Sequence, residues 1–563
     1  MLIGDNDFWW HLRTGAYISE HAGLLESDPF SLNPYTESRS GREDLVLNGY
    51  WLSQVILYWT FQAFGFSGVH ILKAVMYTAV FLAQWRILNT HGVPGALRYP
   101  VIGFAVCIML FYFPGERPQI FTFLFSVLIV GMLERHRKDK AGSLPLLPVI
   151  MAAWANMHPG FFIGAVIIGV YLVSDGVERL SKAERPLREG RRSLWVWGPL
   201  SLAASLLNPN TYHVVPILLD LNKTSALRDI TEYQGIIALS RNGWTTPVVL
   251  EVSVAALAAA AFVAGRRKMD PVHAVLLAGT VAGGLYAYRL FALTLVVGIP
   301  LIGVYLGMGL DRLGKRDPIR KVKRHVSAAV YLAVIAGSAA IMAFLISEGM
   351  VFRNTYNRPG FPVGAADFLE NNKVRGNIFN HYNSGGYLIW RLYPACRVFI
   401  DGRAISDEAY ETYIAVLGGE QAGAPAGFRW SEILDAFGLN IILINPVDEM
   451  SGEIYPLLES LIGSASWKLV YFDDRDVIFV RAGAVQGELV RIYNIPKEFS
   501  YNTVIALSEK GIAEAPENPN FYVSMARALR GLGRGEEAEV FFSKVRRMLP
   551  AVPGGGNARD PEG

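Results

Sequence analysis

Two acidic residues near the start of the chain have a spacing suited to chemistry. They are Asp5 and Asp7 in the string GDNDFWWHL, where three aromatic residues and His11 follow. Aromatic residues of this type are common at membrane interfaces, so the string predicts negative charge at an interface. Two carboxylates there are suited to bind a divalent metal ion or to deprotonate a hydroxyl group, and His11 is a candidate substrate ligand. The alternative is a helix from Phe8 to about His21 that Asp7 merely caps.

Polar groups at the ends of apolar segments form a second set of candidates. An ionisable residue in such a position is a functional hypothesis by default. Arg117 is well placed for an anionic group, because Pro118 begins a helix and provides a turn that can meet a phosphate. For Arg289 an equally strong alternative is that the side chain only reaches along apolar surface to the interface. The candidates for substrate binding are Arg117 and Gln119 in GERPQ, Asn156 and His158 in ANMHPG, and Arg289 in YAYRLF.

Two further acidic positions have weaker support. Glu232 in ITEYQG is a second acidic group for a metal ion or an acceptor, but an ordinary loop residue is the favoured interpretation. Asp401 and Arg403 lie in FIDGR after a predicted strand. Since Asp-Gly is a turn signal, we expect a turn held by a local ion pair there.

The composition limits the class of protein. The chain has 563 residues, of which 52% are hydrophobic and only 18% charged, and its mean hydropathy is +0.28. Polar residues are scarce through most of the first 350 positions, which indicates an integral membrane protein with a soluble appendage. The net charge of +3 does not indicate nucleic acid, and two cysteines cannot form a disulfide framework. Walker, nucleophile-elbow, Cys/His metal and HExxH motifs are absent, so ATP-driven transport and zinc proteolysis lack support.

Apolar runs near membrane-spanning length recur through this region. Several are shorter than the roughly 20 residues that cross the hydrocarbon core of a bilayer. Two of them are separated only by His158 and predict either two spans or one broken, re-entrant helix. The pattern predicts an α-helical polytopic bundle of about ten spans within 68–350. The spans are 68–88, 98–113, 118–134, 144–157, 159–179, 193–207, 246–265, 270–286, 289–310 and 326–347.

The basic residues predict the orientation. One alternate set of loops contains twenty-two Lys and Arg residues, whereas the other set contains five. Basic loops stay in the cytoplasm, so residues 1–67, the loop 208–245 and everything after 350 are predicted to lie outside it. The first 50 residues contain no signal peptide. We therefore expect the native reading frame to extend upstream and to encode one more apolar helix that ends near Ile3.

The region after the bundle predicts two soluble parts. Short β-rich runs at 377–380, 398–401, 441–445, 468–473 and 477–481 alternate with helical candidates at 363–371 and 431–437, which indicates a small α/β domain over 351–482. Residues 486–550 predict helix hairpins, and 518–550 resembles one tetratricopeptide repeat, with Ala526, Ala538 and Pro550 in fitting positions. The tail at 551–563 is expected to be disordered.

Four strings together resemble a known class. The chain shows GDNDFWWHL from Gly4, ERPQIFTFLF from Glu116, NMHPGFF from Asn156 and GGYLIWRLYPACRVFIDGR from Gly385. It resembles the GT-C class of membrane glycosyltransferases, and more closely a group of bacterial multi-spanning proteins with the pattern DxDFWWHL. The pattern of that group also includes an NxHG-like turn, and this chain departs from it because Pro159 stands before Gly160 in NMHPGFF.

The resemblance implies a bacterial inner-membrane enzyme with an external C-terminal domain. Its first external loop would carry acidic residues, here Asp5 and Asp7, that act on a polyprenyl-phosphate-linked sugar. The implied partners are this donor, an extracytoplasmic acceptor and membrane lipids, with a protein partner at the repeat-like tail and without nucleic acid. Since nucleotide sugars are cytoplasmic, a sugar used outside must arrive on a lipid phosphate, which cationic groups would bind. Two alternatives stay open: a non-catalytic scaffold that recruits envelope partners, and a transporter, for which no internal repeat is visible.

Overall fold

The computed structural model describes residues 3–32, 41–113, 116–138, 143–181, 193–214, 231–241, 245–313, 356–403, 405–419, 429–449, 451–483, 487–493 and 495–548, with four isolated positions between 314 and 355. The predicted span 326–347, apart from these positions, and the predicted disordered tail lie outside this part of the chain. The described residues form a mostly helical protein with one small sheet. They divide into two compact units, 1–25 with 40–356 and 26–39 with 357–563.

The regular elements among the described residues of the first unit are helices. Its helices are α1 Asp7–His21, α2 Gly41–Asn48, α3 Trp51–Thr90, α4 Gly95–Tyr112, α5 Gln119–Arg137, α6 Leu147–Met157, α7 Phe161–Ser181, α8 Leu194–Ala204, α9 Ile236–Ser240, α10 Thr246–Gly265, α11 Pro271–Tyr286, α12 Tyr288–Leu293 and α13 Ile299–Leu313. A π-helical turn, Thr294–Gly298, joins α12 to α13. The nine predicted apolar segments that fall on described residues are all helical.

Five of the described helical stretches are long and apolar enough to cross a membrane. They are Gly41–Thr90, Gln119–Arg137, Phe161–Ser181, Thr246–Gly265 and Tyr288–Gly309, and four shorter apolar helices accompany them. Large apolar side chains on these helices are exposed, such as Ile71 at 64% and Val173 at 67%. Exposed apolar surface of this extent fits contact with lipid rather than with water. The unit is a multi-pass membrane bundle, and the predicted count of about ten spans stays a prediction.

The first long helix begins earlier than the sequence predicts. The apolar run begins at 68, but α3 begins at Trp51, so the predicted boundary at 67 falls inside a helix. Gly65 has φ 58° and ψ −153°, a conformation open to glycine, and it kinks α3 there. The part before the kink contains Ser53 and Gln54 and packs on α1. Polar residues of this kind lower the local hydropathy, so a hydropathy pattern does not predict this part of the helix. At Gly15 on α1, a side chain would collide with the Gln54 carbonyl, so glycine permits the close approach.

The second unit contains a five-stranded mixed sheet. Its elements are α14 Val363–Asn371, β1 Gly376–Asn380, α15 Gly385–Leu392, β2 Cys396–Val398, α16 Asp407–Leu417, α17 Trp430–Ala436, β3 Leu439–Ile444, α18 Pro456–Gly463, β4 Trp467–Phe472, β5 Val477–Arg481, α19 Gly487–Ile492, α20 Ser500–Glu514, α21 Pro519–Gly531 and α22 Gly535–Met548. The strand order is β2-β1-β3-β5-β4, with β1 parallel to β2 and β3, and β5 antiparallel to β3 and β4. The predicted α/β alternation is present.

The strand predicted at 398–401 lies two to three residues too late. β2 ends at Val398, and beyond it the Asn380 side chain adds to the main-chain bonding, since Phe399 N–H also donates to the Ile378 carbonyl at 2.8 Å. Asn380 Oδ1 accepts from Phe399 N–H at 2.9 Å, and Nδ2 donates to the Ile400 carbonyl at 2.7 Å. On the same strand, the Val398 carbonyl accepts from Leu32 N–H at 2.9 Å. A segment of the predicted first external loop therefore belongs to the same unit as the sheet.

The C-terminal helices α20, α21 and α22 pack on one another as hairpins. Phe521 and Val504 are also part of the core beneath the sheet, and Ser524 Oγ donates to the Gly452 carbonyl at 2.6 Å. The hairpins are thus continuous with the α/β part of this unit. Their assignment to the tetratricopeptide repeats stays a prediction.

Candidate functional site

The N-terminal segment of the first unit is held by a buried glutamate. The main-chain N–H groups of Gly4 and Asp5 each donate to Glu116 Oε2 at 3.1 Å. The other oxygen of Glu116 accepts from Lys73 Nζ on α3 at 2.9 Å. Since a buried carboxylate needs a compensating charge, the positive charge of Lys73 allows Glu116 to stay ionised and to hold the N-terminal segment. Sequence reasoning missed both residues, although Glu116 lies beside Arg117 in GERPQ.

Asp5 and Asp7 take different positions at the start of α1. The helix begins at Asp7, and the side chain of its N-cap residue, Asn6, makes no capping bond. Asp5 Oδ1 instead accepts from Asp7 N–H at 2.9 Å. The capping interaction that the sequence offers as the alternative role of Asp7 is therefore made by Asp5. The side chain of Asp7 is left available for other contacts.

Arg117 joins three carboxylates at the start of α5. Its Nε donates to Asp5 Oδ2 at 2.5 Å. Its Nη1 lies 3.2 Å from Asp7 Oδ2 and 3.0 Å from Glu232 Oε1. The guanidinium is 29% exposed, and the three carboxylates are between 10% and 36% exposed, so these ion pairs face a partly wet space. Three negative charges around one positive charge give the group a net negative charge.

Glu232 and Arg289 complete the arrangement. The 3-10 turn Thr231–Tyr233 carries Glu232 to Arg117, and Tyr288 N–H donates to the Gln234 carbonyl at 3.0 Å, which holds this turn beside α12. The Arg289 guanidinium lies 4.4 Å from the ring centre of Tyr233, a cation–π distance. The residue that the sequence favours as an ordinary loop position thus belongs to the site.

A cleft at this end of the bundle contains about 450 Å³ of atom-free space, including space open to solvent. It combines two acidic and two basic side chains with a mainly aromatic wall. Its lining residues are Asp5, Tyr112, Phe113, Arg117, Gln119, Phe123, Glu232, Tyr288 and Arg289. Four of the predicted substrate ligands and one of the two predicted catalytic residues therefore lie at one cleft. Asp7 is not among the lining residues, but it contacts the guanidinium of Arg117 next to the cleft.

The charges of the group shift its proton affinities. Burial raises the pKa of Asp7, and the positive charge of Arg117 lowers it. The negative charges of Asp5 and Glu232 raise it further, so that the pKa of Asp7 is about 6. Burial acts to lower the pKa of Arg117, but the three carboxylates raise it well above its usual range. Arg117 is therefore a permanent cation, whereas Asp7 exchanges a proton near neutral pH.

The other predicted ligands have their own contacts among the described residues. His11 is buried, and its Nδ1 lies 3.1 Å from Gln54 Nε2. Asn156 Oδ1 accepts from Trp51 Nε1 at 2.8 Å, and its Nδ2 donates to the Leu207 carbonyl at 2.7 Å. These contacts stabilise the helices around the cleft rather than line it. Substrate binding by these two residues stays a prediction.

His158 occupies the turn between α6 and α7. Its Nδ1 accepts from Gly160 N–H at 2.8 Å, which places the remaining ring proton on Nε2, and it also lies 2.8 Å from Thr122 Oγ1. The two apolar runs around it are two helices with this turn between them. The histidine holds the break and is not among the residues that line the cleft, so its role as a substrate ligand stays a prediction.

A metal ion at Asp5 and Asp7 does not fit the present arrangement of their side chains. Arg117 occupies the position between the carboxylates, and in the described part of the chain these oxygens do not form a group of three ligand atoms within reach of one ion. A divalent ion would have to displace the guanidinium, so binding there stays a prediction.

In the second unit, Asp401 and Arg403 confirm the predicted local ion pair. Arg403 Nε donates to Asp401 Oδ1, and Nη2 donates to Oδ2, both at 2.7 Å. Arg403 also binds both carboxylate oxygens of Asp28, at 3.0 and 2.9 Å, and the three side chains are at most 3% exposed. This buried triad holds the stretch around Asp28, which belongs to the same unit as the sheet, and the sequence did not assign this structural role to Asp28.

No family model and no curated protein matches the chain. Among solved structures, it is similar to the oligosaccharyltransferase of Archaeoglobus fulgidus in its apo form, with 11% identical residues and a TM-score of 0.47. The similarity covers 86% of this chain and 71% of that protein. A likeness of this size does not establish a shared fold or activity.

Proposed function

We propose that the chain is a membrane glycosyltransferase that moves a sugar from a polyprenyl-phosphate-linked donor to an extracytoplasmic acceptor. The observation that carries the proposal is the cleft in which Arg117 meets Asp5 and Glu232 and contacts Asp7 beside them. Carboxylates suit an acceptor hydroxyl, guanidinium groups suit a phosphate, and the aromatic wall suits a sugar or an isoprenoid chain. The chemistry agrees with the activity that the resemblance to GT-C enzymes implies.

The reaction would be a single displacement with inversion. An acceptor hydroxyl gives its proton to a carboxylate as its oxygen bonds to the anomeric carbon of the sugar. The bond between that carbon and the phosphate oxygen breaks, and the polyprenyl phosphate leaves with the electron pair. Asp7 suits the role of base, because its pKa of about 6 leaves it ionised yet basic at neutral pH. Asp5 suits a positioning role, since its two oxygens already bind Arg117 and the start of α1.

The donor phosphate would bind on the basic side of the cleft. Arg289 and Arg117 supply positive charge, and Gln119 at the start of α5 supplies a hydrogen-bond donor. If substrate drew Arg117 away from them, Asp5 and Asp7 would be the residues to hold a divalent metal ion, which would supply positive charge for the leaving phosphate. The bacterial inner membrane, an external location of the cleft and a protein partner for the C-terminal hairpins are further parts of the proposal.

The test compares lipid-linked sugars in cells. Deletion of the protein should cause its lipid-linked donor to accumulate, as measured by mass spectrometry of lipid extracts, and the wild-type chain should reverse this. A chain with Asp5→Asn and Asp7→Asn should fail to reverse it at equal expression. Glu20→Gln, on the same helix and 45% exposed, is the matched control and should act as the wild type does. Full reversal by the double variant would end the assignment and favour the non-catalytic scaffold.

A further inference from the structure

A second polar cluster lies at the other end of α5. Glu134 is in the last turn of this helix, His91 directly follows α3, and His273 is in the first turn of α11. The three side chains are buried, with exposed fractions of 4%, 2% and 3% for His91, Glu134 and His273. The predicted site does not include these residues, because 43 residues separate His91 from Glu134 and the spacing has no recognisable motif.

The ligand atoms of the cluster converge. His91 Nε2 lies 2.7 Å from Glu134 Oε2, and His273 Nε2 lies 3.1 Å from Glu134 Oε1. All three ligand atoms lie within 4.8 Å of one another. A tetrahedral ion with bonds of about 2.0–2.2 Å holds its ligand atoms about 3.4 Å apart, so small rotations of the side chains suffice to bind one.

A second sign of a ligand is the poorly satisfied Nε2 of His273. Despite its burial and its short distance to Glu134, His273 Nε2 makes no hydrogen bond among the described residues. Its contact with Glu134 Oε1 at 3.1 Å is an ion-pair contact and not a well-formed hydrogen bond, and a buried polar atom in that state is costly. A metal ion between the two histidines and the glutamate would satisfy this nitrogen.

The surroundings orient the cluster as the outer shell of a metal site does. The other ring nitrogen of His273 lies 2.8 Å from the Tyr305 hydroxyl. Tyr171 donates its hydroxyl proton to Glu134 Oε1 at 2.6 Å. Hydrogen bonds of this kind fix ring orientation and ligand basicity in metal sites. Arg137 makes a close ion pair with Asp270 at 2.7 Å and a longer one with Glu134 at 3.7 Å.

We propose that His91, Glu134 and His273 form a binding site for a divalent transition-metal ion of the zinc class. Two imidazoles and one carboxylate suit such an ion, whereas magnesium and calcium prefer oxygen ligands alone. The ion would join the ends of α3 and α5 to the start of α11, so its main effect is to hold three helices of the bundle together. The site is distinct from the cleft and does not depend on the proposed transferase activity.

The first experiment measures zinc in the full-length chain purified in detergent. After removal of loosely bound metal, the wild type should retain about one zinc ion per chain, and so should a chain with Asp5→Asn and Asp7→Asn, which removes two of the three carboxylates around Arg117. Glu134→Gln and His273→Gln should each weaken zinc binding at least about 100-fold. His213→Gln removes an exposed histidine outside the cluster and should retain zinc as the wild type does.

A second measurement guards against variants that fail to fold. Zinc should raise the melting temperature of the wild-type chain relative to a chelator, because an ion that binds only the folded state stabilises it, and the shift should vanish in His273→Gln. Tyr171→Phe keeps the ring and removes one outer-shell hydrogen bond, so it should weaken binding about 10- to 100-fold. A wild-type chain that retains no zinc and shows no shift, or a His273→Gln variant that binds as tightly as the wild type, would overturn the proposal.

Discussion

The two ends of α5 carry two charged groups of opposite character. Arg117 precedes the helix and Glu134 lies near its end, about 25 Å away along the helix axis. The group at Arg117 is partly exposed and lines a cleft, whereas the group at Glu134 is almost fully buried. The first contains three carboxylates around a cation, and the second contains one carboxylate between two histidines.

This difference indicates different tasks. Ion pairs in a partly wet cleft are weak enough to exchange, so a substrate can take the place of a partner. A buried carboxylate is costly to leave without positive charge, and Glu134 has Arg137 only at 3.7 Å, so a closer permanent partner would stabilise it. The exposed end therefore suits turnover, and the buried end suits a structural ion.

The largest expected effect is on turnover at the exposed end. Asp7→Asn keeps the size of the side chain and removes the base, so transfer should slow by about 10²–10⁴-fold with little change in the apparent KM for the donor. The variant should fold, because Asp5 and not Asp7 makes the capping bond. Its zinc content should equal that of the wild type. The measurement is steady-state transfer by the purified chain with a lipid-linked sugar.

If Asp7→Asn lost its zinc as well as its turnover, the two ends of α5 would be coupled and would not have separate tasks. Turnover within twofold of the wild type would contradict a role for Asp7 as base.

A smaller effect is expected from Arg117→Lys. Lysine keeps the charge but loses the fork that reaches three carboxylates, and it binds a phosphate as a point charge only. We expect the apparent KM for the lipid donor to rise about tenfold, a change in affinity worth about 1.4 kcal/mol. Arg98→Lys is the control, because Arg98 binds Asn89 outside the cleft. An unchanged KM would indicate that Arg117 only anchors the N-terminal segment.

Much of the fold of the bundle could be predicted from the sequence. A hydropathic run reports a buried or lipid-facing helix directly, and the nine apolar runs on described residues are helices for that reason. The predicted start of α3 was too late. The polar side chains of Ser53 and Gln54 pack on α1 and lower the local hydropathy, so the hydropathy pattern misses this part of the helix. The predicted end of β2 was wrong because the side chain of Asn380 takes part in the bonding of Phe399 and Ile400, which a pattern of alternating residues does not reveal.

The site could be predicted only in part. Asp5, Asp7 and Arg117 were found because acidic and basic residues at apolar boundaries are unusual. The contact of Arg117 with Glu232 joins residues 115 positions apart and depends on a 3-10 turn that no local signal marks. Glu116, Lys73 and the histidine cluster were missed for the same reason, since each contact is made across helices distant in sequence.

The smallest expected effect is a dependence on pH that is confined to the exposed end. The pKa of Asp7 is raised from its ordinary value of 3.8 to about 6 in the folded chain, with burial as the first cause. The folded state therefore binds this proton more tightly than the unfolded state does, and ionisation of Asp7 lowers stability. The penalty is absent below about pH 4, grows between pH 4 and 6, and is complete above pH 6. Partial exposure limits it to about 1–2 kcal/mol.

The asparagine in Asp7→Asn stays neutral at every pH, so the variant avoids the penalty and should melt at a higher temperature than the wild type at pH 8. The difference in melting temperature should shrink to nothing as the pH falls to about 4. Turnover should follow the opposite course, since the base must be ionised: wild-type transfer should rise with pH through about 6, and the residual rate of Asp7→Asn should lack this rise. Thermal melting in detergent and a pH–rate profile measure the two curves, with Glu20→Gln as the matched control. A stability gain in Asp7→Asn that is the same at pH 4 and pH 8 would show that the substitution acts by packing and not by charge. The rise of the wild-type transfer rate with pH would then reflect ionisation of another group, and Glu232 in the same cleft is the next candidate.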